Sequence, residues 1–185
     1  MPMAEPLSDL SHLSLAQIAQ LAADAKLPPV ASWNPARTGD SEMRIASDGR
    51  WFHQGGPINR ANMVRLFSTI LRREADGSHV LVTPAEKLSI AVDDKPFQAI
   101  EVKSEGAGPA RRLAFRLNTG DLVVAGRDNA ISMDATGPVL GVRAGLEARI
   151  SRAVYYELAE IALEEAADPP GVWSGGSFFA LDAAS

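Results

Sequence analysis

The 185-residue sequence contains no cysteine. This absence excludes disulfide bonds, thiolate nucleophiles and metal centres held by thiolates, such as zinc ribbons and iron–sulfur clusters. Histidine is also scarce, at three residues, and none of them shows the two-histidine helical spacing of a metal site. We therefore expect neither a metal ion nor a cofactor.

Long apolar runs and an excess of positive charge are missing as well. No apolar run approaches the roughly 20 residues that cross a bilayer. The N-terminus places Glu5 between two prolines where a secretory signal would be basic and then apolar. The formal net charge of −5 opposes the basic field that non-specific nucleic-acid binding needs. We expect a cytoplasmic protein with neither a membrane nor a nucleic-acid partner.

The remaining composition is that of a globular chain, with 46% hydrophobic and 22% charged residues. Residues 10–25 have the apolar spacing of an amphipathic helix, with Ser11 or Ser14 as N-cap, and a connecting loop over 31–41 follows. Asp48-Gly49 favours a tight hairpin turn between two short strands. Asn59 is placed to cap a second helix, with Arg72 and Arg73 in its last turn.

Turn residues divide the middle of the chain into strands that we expect to form an antiparallel meander. The predicted strands cover residues 80–83, 87–92, 97–103, 111–117, 122–125 and 130–133. The longest helix is predicted from Arg143 or Ala144 to Ala167, because apolar residues recur along it at helical spacing. Residues 172–181 are predicted to return as a terminal strand.

These patterns predict an α+β protein of two related halves, with an antiparallel sheet packed on helices. A weak internal echo supports the duplication, since a hairpin, a helix and a strand follow one another twice along the chain. We place an N-terminal α+β domain at residues 1–82. A C-terminal domain of β-meander and long helix would cover residues 83–185.

Several fragments, in order, resemble a bacterial family known as domain-of-unknown-function family 1285. The resemblance is carried by Asp48 to Arg60, Leu66-Phe67-Ser68, Ile70-Leu71, Val82 to Lys87, Val92-Asp93-Asp94, Pro96-Phe97, Arg152 to Leu158, Val172-Trp173-Ser174 and Phe178-Phe179. One departure is Ala180, which follows Phe179 where the family pattern has proline. The resemblance implies two related domains, the second superficially pleckstrin-homology-like. It also implies an interface site for a nucleotide-based ligand and a role in signal transduction.

The residues themselves offer one anion site. Gly55-Gly56-Pro57 precedes a helix whose free N–H groups, with Arg60 in its first turn, favour negative charge. An equally good interpretation pairs Arg60 with a nearby carboxylate. Neither a Walker motif nor a dinucleotide-binding motif is present.

Our first hypothesis is a non-catalytic binding or sensory protein that takes a small anionic or nucleotide-based ligand at the domain interface. Its predicted contacts are Trp51, His53, Arg60, Thr83, Glu86, Lys87 and Trp173. The alternatives are a hydrolase or transferase that uses His53 with Glu86 or Asp93, and a scaffold that binds a protein partner through an exposed sheet edge. His53 as a structural strand-end residue and Thr83 to Lys87 as a capped turn also fit the pattern.

Overall fold

The computed structural model describes residues 10–182. Two six-stranded sheets form its frame. The first sheet contains β1 (Thr38–Ile45), β2 (Trp51–His53), β3 (Gly56–Pro57), β4 (Leu71–Arg73), β5 (His79–Val82) and β6 (Lys87–Val92). The second contains β7 (Phe97–Glu105), β8 (Arg112–Leu117), β9 (Leu122–Val124), β10 (Ile131–Met133), β11 (Pro138–Arg143) and β12 (Leu146–Ile150).

The two sheets share one topology. Each consists of two three-stranded antiparallel meanders, and the first and last strands of the sheet lie side by side as a parallel central pair. The first sheet runs β3-β2-β1-β6-β5-β4, and the second, read from β9, runs in the same relative order. The prediction of two similar halves is therefore confirmed. The prediction of a purely antiparallel sheet is wrong at the pairs β1 with β6 and β7 with β12.

The helices sit differently in the two halves. Helix α2 (Ala61–Thr69) connects the third and fourth strands of the first sheet, whereas α3 (Arg152–Glu165) follows the sixth strand of the second sheet. The internal repeat predicted from the sequence made these two helices equivalent, and that correspondence is wrong. The repeat lies in the strands, where pairing between distant segments, rather than local pattern, defines the equivalence.

The first predicted helix is divided in two. Leu10–His12 form a single 3₁₀ turn, and α1 spans Leu15–Asp24. Ser14 accepts a hydrogen bond from the Gln17 backbone N–H while the Gln17 side chain accepts one from Ser14 N–H, a capping box that starts α1. The apolar face of α1 packs on β8 and β9, with Leu15 and Ile18 buried.

The hairpin around Asp48-Gly49 is confirmed, with Ile45 opposite Trp51 and Met43 opposite His53. The loop predicted over residues 31–41 is too long, because β1 already begins at Thr38 and pairs in parallel with β6 from Lys87 onward. The run of Gly, Asp and Ser in this segment has poor strand propensity. The parallel partner overrides that local preference.

The second helix begins one residue later and ends earlier than predicted. Its N-cap is Arg60 rather than Asn59, without a side-chain capping bond, and its C-cap is Ile70. Arg72 and Arg73 lie in β4, opposite Val80 and His79. They are therefore strand residues, because pairing with β5 takes over where the helix stops.

The longest helix, α3, is shorter than predicted, because the first residues of the predicted helix form a strand. Residues 146–150 form β12, and a turn at Ala144-Gly145, with φ of 46° and 80°, joins it to β11. Leu146 and Ile150 are four residues apart, a spacing that places side chains on one face of a strand as well as on one face of a helix. Both are buried as predicted, but from the sheet side.

The C-terminal segment is a hairpin rather than one strand. β13 (Gly171–Ser174) pairs with β14 (Ser177–Ala180) across Gly175-Gly176, both with positive φ. Strand β10 pairs with β11 and not with β9, which corrects the predicted continuous meander. The hairpin is tied to the second sheet through the buried Ser174, whose hydroxyl accepts from Leu113 N–H and donates to Ala125 C=O.

The two sheets meet in one continuous core. It runs from Ile45, Trp51 and Leu81 in the first sheet to Phe115 in the second and Leu158 on α3. Strand β6 belongs to the first sheet, so the change from one sheet to the other falls between Val92 and Phe97.

The domain ranges given above, and the pleckstrin-homology-like character of the second half, remain predictions. None of the helices within residues 10–182 is long and apolar enough to cross a membrane.

Candidate functional site

The structure places the predicted ligand contacts at separate positions. Trp51 is buried on β2 at the junction of the sheets, at 2% exposure. His53 lies exposed at the end of the same strand, and Arg60 lies exposed at the N-cap of α2. Arg60 borders a shallow apolar depression with Met63 and Leu66 rather than the cleft that Trp51 lines. Only Trp51 of the predicted set lines that cleft.

The Thr83 to Lys87 segment is a capped turn. Thr83 Oγ1 accepts hydrogen bonds of 3.2 Å from the N–H groups of Ala85 and Glu86. Glu86 lies 3.7 Å from Arg37, and Lys87 lies 3.6 Å from Glu74. Local hydrogen bonds and ion pairs thus account for these side chains.

Trp173 packs within its own hairpin. Its ring meets Phe178 edge to face, with centroids 5.3 Å apart. Trp51 is almost fully buried, so its ring face is not open to a ligand in this conformation. Of the two tryptophans predicted as ligand contacts, Trp173 therefore lies outside the cleft, and Trp51 is almost fully buried in its wall.

The cleft that Trp51 lines lies between the two halves. Its first side comes from β2, β3 and the start of α2, and its second from β8 and the turn that follows it. It has a volume of about 420 Å³. The lining residues are Gly49, Arg50, Trp51, Pro57, Ile58, Asn59, Ala61, Val64, Arg65, Arg116, Asn118, Thr119 and Gly120. Volumes of this size are typical of small-molecule sites.

The charge of the lining is of one sign. It contains three arginines and no carboxylate. Arg50 pairs with Asp48 at 2.8 Å, and Arg116 pairs with Glu101 at 2.9 Å, and both carboxylates lie outside the lining. Arg65 differs, because across residues 10–182 it has no carboxylate within 4.0 Å. Its Nε donates to the carbonyl of Thr119 at 3.1 Å.

Arg65 also bridges the two halves. It lies on α2, and its acceptor Thr119 lies in the turn between β8 and β9. Asn118 strengthens the same junction by donating to the Gly49 carbonyl at 3.2 Å. Gly120, with φ of 90°, lets the turn pass close to the Arg65 guanidinium, which a Cβ there would meet at 2.7 Å. The cleft wall is thus built by contacts across the sheet junction.

The first turn of α2 borders this wall. The N–H groups of Met63 and Val64 bond to the Arg60 carbonyl, whereas no intrahelical acceptor exists for those of Ala61 and Asn62, as at any helix start. Asn59 and Ala61 line the cleft. The positive end of the helix dipole reinforces the arginine charge.

Trp51 carries an unusual polar atom. Its indole Nε1 is buried and, of the side-chain atoms in residues 10–182, it is the one buried donor or acceptor without a hydrogen-bond partner. A buried N–H without an acceptor costs about 1–3 kcal/mol. The cleft wall therefore contains one buried donor that lowers local stability, next to its arginines.

A second cleft, of about 340 Å³, opens elsewhere along the sheet junction. There Glu147 pairs with both Arg73, at 3.3 Å, and Lys95, at 3.0 Å. Burial, with the charges of Arg73 and Lys95, lowers the pKa of His79 below its ordinary value. The cations of this second cleft are already paired with carboxylates, which distinguishes it from the first cleft.

Arg149 organises a neighbouring ion-pair cluster. It donates to Asp94 through Nε and Nη2 at 2.8 Å each and to Asp134 at 2.9 Å. These hydrogen bonds lower the pKa of the Asp94 carboxyl, hold the pKa of the Asp134 carboxyl well below its usual range and raise the pKa of the guanidinium. The described residues contain no group of three or more metal-ligating side chains.

The predicted catalytic pair does not assemble. His53 is exposed, whereas Glu86 faces Arg37, and Asp93 lies 3.5 Å from Arg44. Asp93 and Asp94, in the bend after β6, turn to different partners, Arg44 and Arg149. No hydrogen bond or ion pair within residues 10–182 joins His53 to either carboxylate.

Sequence reasoning missed Arg65, the cation most available in the cleft. In the sequence it is one polar position on an amphipathic helix, with no motif around it. Arg116 is likewise one basic residue of the predicted strand 111–117, and Asn118 to Asp121 lie between that strand and the predicted strand 122–125. Their convergence depends on a contact between residues more than 50 positions apart, as for Arg65 with Thr119.

The chain is a two-domain α+β protein. Its two sheets have the same strand order, share one core and border a cleft lined by arginines. The family description "Domain of unknown function (DUF1285), N-terminal domain" matches residues 28–95, and "Protein of unknown function (DUF1285), C-terminal domain" matches residues 96–181. The chain belongs to the DUF1285 family. The resemblance seen in the sequence is thereby confirmed.

Solved structures agree with this assignment. A DUF1285 family protein from Silicibacter pomeroyi DSS-3 is 46% identical, with a TM-score of 0.78, over 89% of this chain and 93% of that chain. A DUF1285 family protein from Shewanella baltica OS155 is 25% identical, with a TM-score of 0.53, over 64% of this chain and 91% of that one. No curated protein matches the chain.

Proposed function

We propose that this chain is a non-catalytic binding protein that takes a small anion in the cleft between its two sheets. One observation carries the proposal: the cleft lining contains three arginines and no carboxylate. Such a lining favours the entry of negative charge, because its three guanidinium groups are positive and one of them, Arg65, has no carboxylate partner among the described residues.

Arg65 is the central residue of the proposed site. Arg50 and Arg116 are matched by carboxylates, whereas Arg65 donates to a carbonyl oxygen that carries only a partial charge. Its guanidinium has further N–H groups for a phosphate or carboxylate, in a planar arrangement that suits two parallel hydrogen bonds. The site is thus shifted from Arg60, favoured by the sequence, to the next turn of the same helix.

A nucleotide-based ligand and a role in signal transduction form the finer part of the proposal. They come from the family resemblance, as does the pleckstrin-homology-like description of the second half. The position of the cleft between the halves supports coupling, since a ligand there would contact α2 and the β8–β9 turn together. The same proposal includes a protein partner that binds differently when the ligand occupies the cleft.

The test is calorimetry at low ionic strength with inorganic phosphate, AMP and ATP. We expect at least one of these anions to bind wild type, and Arg65→Ala to weaken it at least tenfold. Arg60→Ala is the matched control on the same helix and should leave the affinity within about twofold of wild type. Arg65→Lys should lose nearly as much as Arg65→Ala if the contact is bidentate.

Two results would overturn the proposal. The first is that none of the three anions binds the folded wild-type protein. The second is equal affinity in wild type and Arg65→Ala. Because Arg65→Ala also removes the bond to Thr119, circular dichroism should first establish that the variant is folded at the temperature of the measurement.

A further inference from the structure

The cleft wall combines its arginines with an apolar surface. Besides the charged residues, the lining includes the side chains of Trp51, Pro57, Ile58, Ala61 and Val64. Pro57 and Ala61 are exposed, and Ile58 and Val64 are partly buried. Apolar surface that faces water in a concave site gains free energy when a ligand covers it.

The size of the cleft points the same way. A water molecule occupies about 30 Å³ of liquid volume, and a bare phosphate ion displaces only a few waters. In a cleft of about 420 Å³ such an ion would leave most of the apolar wall hydrated. A ligand with an additional body of several carbon atoms would cover that wall.

The charge of the cleft limits the charge of the ligand. Arg65 is the one arginine of the lining that lacks a carboxylate partner among the described residues. A second or third phosphate group would have to compete with Asp48 for Arg50 or with Glu101 for Arg116, whereas a single anionic head meets its unmatched charge at Arg65. The lining therefore favours one anionic group over several.

We infer that the cleft takes an anion with one phosphate or carboxylate head and an apolar body, such as an aryl or branched-alkyl phosphate. The head binds at Arg65, and the body lies against Ile58, Val64 and Pro57. This inference rests on the proposed function, since it names the ligand class of the same cleft.

Calorimetry with four probes tests the inference: inorganic phosphate, phenyl phosphate, pyrophosphate and the neutral benzyl alcohol. We expect phenyl phosphate to bind at least tenfold more tightly than inorganic phosphate, a difference of about 1.4 kcal/mol. Pyrophosphate should bind less tightly than phenyl phosphate, and benzyl alcohol should not bind at millimolar concentration.

A pair of variants assigns the gain to the apolar wall. Val64→Thr keeps the shape of the side chain but replaces a methyl group by a hydroxyl, and we expect it to weaken phenyl phosphate about fivefold while inorganic phosphate is unchanged. Leu163→Thr, at an 80% exposed position on α3, is the matched control and should change neither affinity. Ile58→Thr replaces Val64→Thr if the latter fails to fold.

The outcomes separate the two proposals. If phosphate binds through Arg65 but phenyl phosphate binds no more tightly, the inference is wrong and the anion site stands. Tightest binding by pyrophosphate also overturns the inference, since it would indicate a polyanion site. If neither phosphate nor phenyl phosphate binds, the ligand class is wrong, and the anion site fails with it unless AMP or ATP binds through Arg65.

Discussion

The guanidinium of Arg143, on β11 of the second sheet, donates a hydrogen bond of 2.9 Å to the carbonyl of Ser68 at the end of α2. The same guanidinium lies 5.2 Å from the centroid of the Phe97 ring. The cation therefore stands at the negative end of the helix dipole. With Arg65, which reaches Thr119, Arg143 joins α2 to the second half at two points along the helix.

Arg143→Met should destabilise the protein. The substitution keeps an unbranched apolar stem and removes the donor to Ser68. Burial lowers the pKa of the guanidinium, so the desolvation of its charge offsets part of the stability that this hydrogen bond contributes. We expect a loss of about 1.5–3 kcal/mol in the free energy of unfolding, the usual range for a hydrogen bond to a charged group. Urea unfolding measures it. Arg127→Met, at an exposed position, is the control, and equal effects in both variants would show that the Ser68 contact contributes nothing.

Arg149 should govern stability in acid. Hydrogen bonds from Arg149 lower the pKa of Asp94 and Asp134 from the ordinary value of 3.8. Because the folded pKa is depressed, the contribution is complete above the unfolded pKa and is lost as pH falls through the folded pKa. Arg149→Lys, which cannot make both bidentate contacts, should flatten the loss of stability between about pH 5 and pH 2. An unchanged acid profile by urea unfolding would contradict this prediction.

His79 should make the protein less stable at mildly acidic pH. Burial, with Arg73 and Lys95, lowers its pKa below the ordinary 6.5, while Glu147 opposes that shift. The unfolded chain therefore binds a proton that the folded protein does not, so stability falls as pH drops below 6.5. His79→Gln should reduce this slope between about pH 5 and 7. His53→Gln, at an exposed position, should not, and identical slopes in the two variants would refute the prediction.

Leu158 and Leu163 offer a matched pair on α3. Leu158 is fully buried against the core, and Leu163 is 80% exposed. We expect Leu158→Ala to cost about 2–5 kcal/mol, because it removes buried methyl groups and leaves a cavity. Leu163→Ala should lie within about 0.5 kcal/mol of wild type. A similar free energy of unfolding for both would show that the buried face of α3 is misassigned.

Local pattern predicted the elements that local physics controls. Ser14 is one of the two N-cap candidates of the first helix, and Asp48-Gly49 is a hairpin signal, and the structure confirms both. Where one pattern suits two structures, prediction failed. Leu146 and Ile150, four residues apart, fit a helix face and a strand face equally, and the second sheet selected the strand.

The sequence alone therefore determined the family, through motifs in a fixed order, and the burial of most apolar positions, because side-chain period acts within a few residues. Only the tertiary structure decided the two parallel central pairs, the true equivalence of the halves and the position of the cleft. Arg65 shows the reason. Its acceptor Thr119 lies 54 residues away along the chain, and the choice between Arg65 and Arg60 depends on which face of α2 turns toward the second sheet. That orientation is set by packing across the core and not by the residues next to either arginine.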